Sequence, residues 1–498
     1  MKNNFEKLKD RLVKIADIQY SAAVLAWDQE TYMPAKGAEF RAGQLSTLAG
    51  IQHEFSISKE FEVTLSEARE TDERYLSDWQ KKSIEIVTDD FVKRKKYSTQ
   101  FVEELSRSIS STFQSWQEAK RNNNFQIFAH QLEKLVELKK KECEILGYEG
   151  HPYNAMLNEY EKGLTVDKLD ELFGNLKQEL SSILNKIKSN IDDHFFRLHY
   201  CKQKQWDFSI EILKKMGYNF EGGRQDLSTH PFTIQFNPND VRVTTRVNEN
   251  DLAEIIWSSI HEGGHALYEQ GLPAEGYGTP LAEACSLGIH ESQSRVWENN
   301  VGRSRQFWDY FFPRLKELFP DNLKNISTDD FYKGMNKVQP TLIRTNADEL
   351  TYHFHVIIRY EIEKDLFEGK IKVSELPKIW NEKYKSYLGL DVPCDAEGVL
   401  QDVHWSHGSF GYFPTYSLGS LYAAQFFHQA GVDIPDLYSQ IKKGDFSEFL
   451  KWLREKIHRK GRLYTSDELC IQITGESLNS AFFLNYAVKK YGVIYGFK

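Results

Sequence analysis

His261-Glu262-Gly263-Gly264-His265 sets two imidazoles four residues apart with a carboxylate between them. On a helix, side chains at i and i+4 project from one face, so both imidazoles can grip one zinc ion while Glu262 holds its water. The chemistry is metal-assisted hydrolysis. Catalytic zinc usually takes three protein ligands and keeps one position open, so a further donor must lie downstream. The metzincin arrangement would need glycine at 268 and histidine at 271, and Tyr268 and Gly271 exclude it. A glutamate from the next helix is another arrangement, and His290-Glu291-Ser292-Gln293-Ser294-Arg295 makes Glu291 the preferred third ligand. Glu283 and Glu298 compete for that role on spacing alone. The same donors would suit cobalt or manganese.

These residues need a helix to carry them. Leu252, Ile255, Ile256, Ser259 and Ile260 before the motif, with Ala266, Leu267 and Glu269 after it, recur at helical intervals, and Gly271-Leu272-Pro273 supplies a stop. That stop and Gly276-Tyr277-Gly278 provide the loop through which a second helix returns antiparallel. Adjacent glycines inside a helix cost roughly 1 kcal/mol each relative to alanine. Something must therefore approach Gly263 and Gly264 closely, and a substrate peptide along the helix is one candidate. Residues 232–236 and 241–245 alternate β-branched and aromatic side chains around Asn237-Pro238-Asn239-Asp240, which predicts a hairpin. Its edge could pair with an extended peptide, or the hairpin could merely close the core. Elsewhere helical spacing predicts helices over 61–76, 79–98, 100–119, 125–146, 166–192 and 307–319, with only 13 prolines in 498 residues to interrupt them. The expected fold is mainly α with a small antiparallel sheet beside the metal site.

Six ordered blocks carry a resemblance. They are His230-Pro231-Phe232, Asp240-Val241-Arg242-Val243-Thr244-Thr245-Arg246, the histidine pair, His290-Glu291-Ser292-Gln293, Ile343-Arg344-Thr345-Asn346-Ala347-Asp348-Glu349 and Gly398-Val399-Leu400-Gln401-Asp402-Val403-His404-Trp405. Trp27-Asp28-Gln29-Glu30-Thr31-Tyr32-Met33-Pro34 and Gly411-Tyr412-Phe413-Pro414-Thr415-Tyr416 extend it. With these, the chain resembles the carboxypeptidase Taq family of zinc metallocarboxypeptidases along nearly its whole length. The resemblance implies that His261, His265 and Glu291 hold zinc and that Glu262 is the general base. It also implies a two-lobed helical shell around a deep cleft, similar to neurolysin and angiotensin-converting enzyme, and a homodimer.

The remaining roles follow from residue chemistry. Glu262 would take the proton of the attacking water and deliver it to the leaving amine. The tetrahedral oxyanion needs a further donor, and His404 and Tyr416 are the candidates because an imidazole and a phenol can both donate at neutral pH. A free C-terminal carboxylate calls for a planar cation, and Arg344 is the expected reader. It is expected to start a helix continuing through Tyr352, Val356 and Tyr360, where an ion pair with Asp348 would be its ordinary alternative use. His230, Arg242 and Arg246 are weaker candidates for substrate contacts.

Composition bounds the rest. The 63 basic and 72 acidic residues give −9, which discourages nucleic-acid binding, and a 40% hydrophobic fraction suffices for a large core. Met1-Lys2-Asn3-Asn4-Phe5-Glu6 lacks the apolar core of a signal peptide, and no stretch approaches a membrane span. Five scattered cysteines fit a reducing compartment, so a cytoplasmic location is expected. With no linker or repeat visible, residues 1–498 read as one catalytic unit, with 1–165 forming a cleft wall and 225–420 the zinc and substrate motifs. The expected partners are peptides with a free C-terminus. An endopeptidase or dipeptidyl-carboxypeptidase on the same scaffold is the alternative. A non-catalytic peptide-binding protein is a further one, disfavoured by Glu262.

Overall fold

Side-chain caps decide where the helices begin. In the computed structural model, which describes residues 3–497, Asn3 accepts from the Glu6 amide and starts the helix Asn4–Thr31. Ser58 likewise starts Lys59–Arg69, and Ser98 starts Thr99–Arg121. Ser98 had looked like the last residue of the preceding helix. It is instead the cap of the next one, since a serine hydroxyl satisfies an orphan amide better at an N-terminus than inside a helix. The expected 61–76 helix stops at Arg69 and the 166–192 helix at Lys186. At 70% helical, with a single three-stranded sheet among the described residues, the protein is mainly α.

The chain forms two compact units. One comprises Met1–Lys95, Asp192–Met335 and Tyr422–Leu478, the other Lys96–Ile191, Asn336–Leu421 and Asn479–Lys498. The stretch expected to form a single cleft wall, 1–165, is thus divided between them.

In the first unit, Phe5, Leu8 and Ile15 interlock with Phe61, Leu65, Val87 and Phe91 from Lys59–Arg69 and Asp78–Lys95. The sheet lies in the same unit. Strand β1 (Gln225–Leu227) runs parallel to β3 (Asp240–Thr245), and β2 (Thr233–Asn237) pairs antiparallel with β3 in the order β1-β3-β2. The hairpin is as the sequence predicts, with Thr233 opposite Val243 and Ile234 opposite Arg242. Strand β1 is too short for an alternation to show. Arg242 lies 4.5 Å from the Trp27 ring and 4.8 Å from that of Phe236, pinning the hairpin to the N-terminal helix.

The histidine pair rides on Leu252–Glu269, capped by Asp251 and buried on most of its surface. Its glycines answer to neighbouring helices, which corrects the expectation of a substrate lying there. A Cβ on Gly264 would fall 2.6 Å from the Gln293 carbonyl oxygen and 2.7 Å from the Ser294 Cα, and one on Gly263 would meet the end of Leu213 at 2.5 Å. Gly264 therefore lets Leu287–Arg295, the helix bearing Glu291, pack backbone to backbone on the motif helix. After Arg295 that helix widens into a π-helical segment, Val296–Gly302.

In the second unit Tyr352–Glu368 is buried nearly all round, including His353, His355, Arg359 and Glu363. Arg344 does not start this helix. It occupies a 3-10 turn, Arg344–Asn346, because the Asp348 carboxylate caps the amides of Leu350 and Thr351 and so delays the helix to Tyr352.

Candidate metal centre and carboxylate-binding cluster

The motif helix and Leu287–Arg295 bring His261, His265 and Glu291 together, with one potential ligand atom from each lying within 4.8 Å of the others. Glu291 Oε2 is 3.9 Å from Nε2 of His261 and 3.5 Å from Nε2 of His265. A tetrahedral ion bonded at about 2.0–2.2 Å spaces its donors about 3.3 Å apart, so two imidazoles and one carboxylate oxygen fit a divalent transition metal with small adjustment. Of the three glutamates left open by spacing, Glu291 enters this cluster. Glu283 pairs with Arg462 at 3.1 Å. Glu298 accepts from His261 Nδ1 at 2.8 Å, orienting the imidazole from behind.

Charges around the centre are compensated. Burial favours protonation of Glu291 and Glu298, but Arg295 and the histidines outweigh it and hold both carboxyls well below their ordinary range. His265 is lowered to about 3, first by burial and then by the neighbouring His290, which keeps its nitrogen free to coordinate. His290 stacks on His265 at 4.4 Å and is itself held by Glu269 at 2.8 Å. Glu262, also buried, is pushed up by burial against the opposing pull of His261 and Thr233. The Thr233 hydroxyl on β2 lies 2.7 Å from Glu262 Oε2, so one carboxylate oxygen is anchored and the other is left to act.

A second cluster forms within the other unit. Nε and Nη2 of Arg344 donate to Asp402 Oδ1 at 3.1 and 3.0 Å, and Nη1 donates to the Tyr352 hydroxyl at 2.8 Å. Arg359 Nε donates to the other oxygen of Asp402 at 2.6 Å. Two guanidiniums share one carboxylate, so the group carries a net positive charge suited to an anion. The Arg344 guanidinium lies over the Tyr416 ring at 4.7 Å, and His404 Nε2 is 3.0 Å from the Tyr416 hydroxyl. Burial, outweighing Asp402, brings His404 down to about 3, so it is neutral in ordinary buffers.

The sequence profile of the carboxypeptidase Taq (M32) metallopeptidases matches residues 7–491. The chain belongs to this family. It is 39% identical over 495 residues to carboxypeptidase 1 of Bacillus subtilis, covering 98% of this chain and 97% of that protein. It is also 39% identical to thermostable carboxypeptidase 1 of Thermus thermophilus, covering 95% of each. The crystal structure of the M32 carboxypeptidase from Deinococcus radiodurans superposes with a TM-score of 0.97 at 37% identity over 99% of both chains. The protein is therefore a metallocarboxypeptidase that removes C-terminal residues from peptides.

Within the family frame, the residues singled out by sequence divide by place. His261, Glu262, His265 and Glu291 meet in the first unit, and Arg344, His404 and Tyr416 meet in the second. Arg242 is bound to Asp240 through two nitrogens at 2.9 and 2.8 Å, and Arg246 pairs with Glu254. His230 is exposed on the loop before β2. Sequence reasoning missed Thr233, Arg295, Arg359 and the outer role of Glu298. Only Arg295 carried a signal, lying four residues after Glu291 on the same helical face.

Proposed function

We propose that the metal is zinc, held by His261, His265 and Glu291, and that the whole chain acts as one catalytic unit on peptides with a free C-terminus. The observation that carries the reading is the three-donor cluster with the anchored carboxylate of Glu262 on the same helix. Zinc held by those three residues would supply Lewis-acid polarisation of the scissile carbonyl and lower the pKa of a water toward neutrality. Glu262 takes the proton of the attacking water on its unanchored oxygen and then protonates the leaving amine, a transfer favoured by its burial-raised pKa. Tyr416, hydrogen-bonded to neutral His404, donates to the developing oxyanion. Arg344, oriented by Asp402 and Tyr352, binds the substrate's terminal carboxylate through its remaining N–H groups. His230 is kept as a further substrate contact because it is exposed. Arg242 and Arg246 are assigned to support.

A cytoplasmic location is supported by five free cysteines. No described helix is long and apolar enough to cross a membrane. A homodimer is supported by large apolar side chains exposed on Ala38–Ile57, among them Phe40, Ile51 and Phe55.

Paired substrates test the reading. A blocked tripeptide with a free carboxylate should be cleaved and its C-terminal amide should not. Arg344→Ala should lower kcat/KM for the free acid by about 10²-fold or more, the loss expected for a buried charge-assisted pair. Equal hydrolysis of acid and amide by the intact enzyme would refute the role of Arg344.

A further inference from the structure

We infer that Arg295 fixes the number of oxygen donors offered by the metal centre and thereby sets its preference among divalent metals. The inference rests on the reading that His261, His265 and Glu291 are the ligands. It goes further by assigning different tasks to the two oxygens of Glu291. Oε2 faces both imidazoles, whereas Oε1 accepts from Arg295 Nε at 2.6 Å. An oxygen engaged in so short a charge-assisted bond is held away from the cluster, so Glu291 presents a single donor.

The same guanidinium reaches a second carboxylate. Arg295 Nη1 donates to Glu298 Oε2 at 3.1 Å, the oxygen that also accepts from His261 Nδ1. One planar side chain thus ties a carboxylate ligand to the group that orients an imidazole ligand. Glu298 Oε1 is occupied by Arg303 at 3.2 Å, and the Arg303 guanidinium is stacked over Trp257 at 4.0 Å. Two cations and two anions, all largely buried, compensate one another, which keeps Glu298 in the outer layer rather than on the metal. The π-helical segment Val296–Gly302 carries Glu298 and turns it toward His261.

Arg295 is a positioning residue, and its geometry is specific. A lysine supplies the charge but not the planar fork that engages both carboxylates at once. Without the fork, Glu291 is free to rotate its second oxygen toward the metal. The donor set then passes from two nitrogens and one oxygen to two of each. Added hard oxygen donors favour manganese relative to zinc, which prefers four-coordinate nitrogen-rich sites.

The test uses full-length protein stripped of metal, with zinc and manganese affinities measured by competition against a fluorescent chelator. In Arg295→Met and Arg295→Lys, zinc affinity should fall about 10- to 100-fold and manganese affinity much less, so the zinc-to-manganese ratio drops about tenfold or more. The visible bands of the cobalt-loaded variants should weaken, as expected when coordination number rises. A ratio within about twofold of the parent in the Arg295 variants would overturn the inference, even if both affinities fell together. Should Arg295→Met fail to fold, Arg295→Lys decides alone. The ligand reading fails separately if His265→Ala binds zinc as tightly as the parent, a result obtained before any Arg295 variant is measured.

Discussion

At the scale of single residues, the carboxylates around the histidine pair show how little of a side chain's role its type conveys. Three buried glutamates, Glu262, Glu291 and Glu298, lie at one centre, and their partners separate them. Guanidinium neighbours depress Glu291 and Glu298, while Glu262 has a hydroxyl and a histidine against a larger burial effect and is raised. A carboxylate raised in this way is suited to exchange a proton, and one held ionised is suited to coordinate or orient. Glu262→Gln keeps an acceptor for Thr233 but removes the base. It should reduce kcat by roughly 10²–10⁴-fold with metal stoichiometry unchanged, as turnover assays beside elemental analysis would show. Retained turnover would move the base elsewhere. The paired histidines and Glu262 were legible because i and i+4 on a helix is a local relation. The Asp402–Arg344 contact spans 58 residues, and the alternative partner Asp348 lay closer in sequence.

At the scale of elements, close helix packing sets the centre's dimensions. Gly264 faces the backbone of Leu287–Arg295, which cannot yield, whereas Gly263 faces the flexible end of Leu213. Gly264→Ala should cost about 1–3 kcal/mol of stability and weaken metal binding by moving Glu291, and Gly263→Ala should cost less. Thermal melts with a chelator competition would compare them, and equal effects would contradict the backbone contact. In the second unit, Glu363 ties a buried helix to the segment carrying His404 and Tyr416, accepting from Trp405 Nε1 at 2.7 Å and the Gly411 amide at 2.8 Å. Burial, against these hydrogen bonds, raises its carboxyl from 4.5 to about 7. The folded state therefore keeps this proton longer than the unfolded chain does. The associated stability is present in full below the ordinary pKa and is lost as pH rises through about 7. Between about pH 5 and 8, Glu363→Gln should show a smaller fall in Tm than the parent. Parallel slopes would exclude Glu363 as the source. No sequence pattern marked this residue, since a glutamate on a helix reads as solvated until its surroundings are known.

At the scale of the whole molecule, the candidate metal donors belong to one compact unit and the Arg344 cluster to the other. Metal removal should abolish turnover and raise amide exchange in Leu252–Glu269 and Leu287–Arg295, because a bound ion stabilises only the state that presents its ligands. The helix Tyr352–Glu368 should exchange at an unchanged rate. Hydrogen-exchange mass spectrometry resolves these segments, and uniform protection with and without metal would refute the ligand set. What the sequence determined by itself was everything carried by short-range periodicity: a mainly α chain, the hairpin around Pro238-Asn239, and the histidine pair with the glutamate between them. The ordered motif blocks added the family and, with it, the reaction. Tertiary structure decided among equals. Glu283, Glu291 and Glu298 have the same chemistry at comparable spacing, and only the approach of two helices at Gly264 brings one carboxylate to the imidazoles and leaves another behind them. The Glu298 partner of His261 and the orientation of Arg344 by Asp402 were likewise decided there. Each depends on contacts between residues far apart in the chain, where sequence spacing carries no distance information.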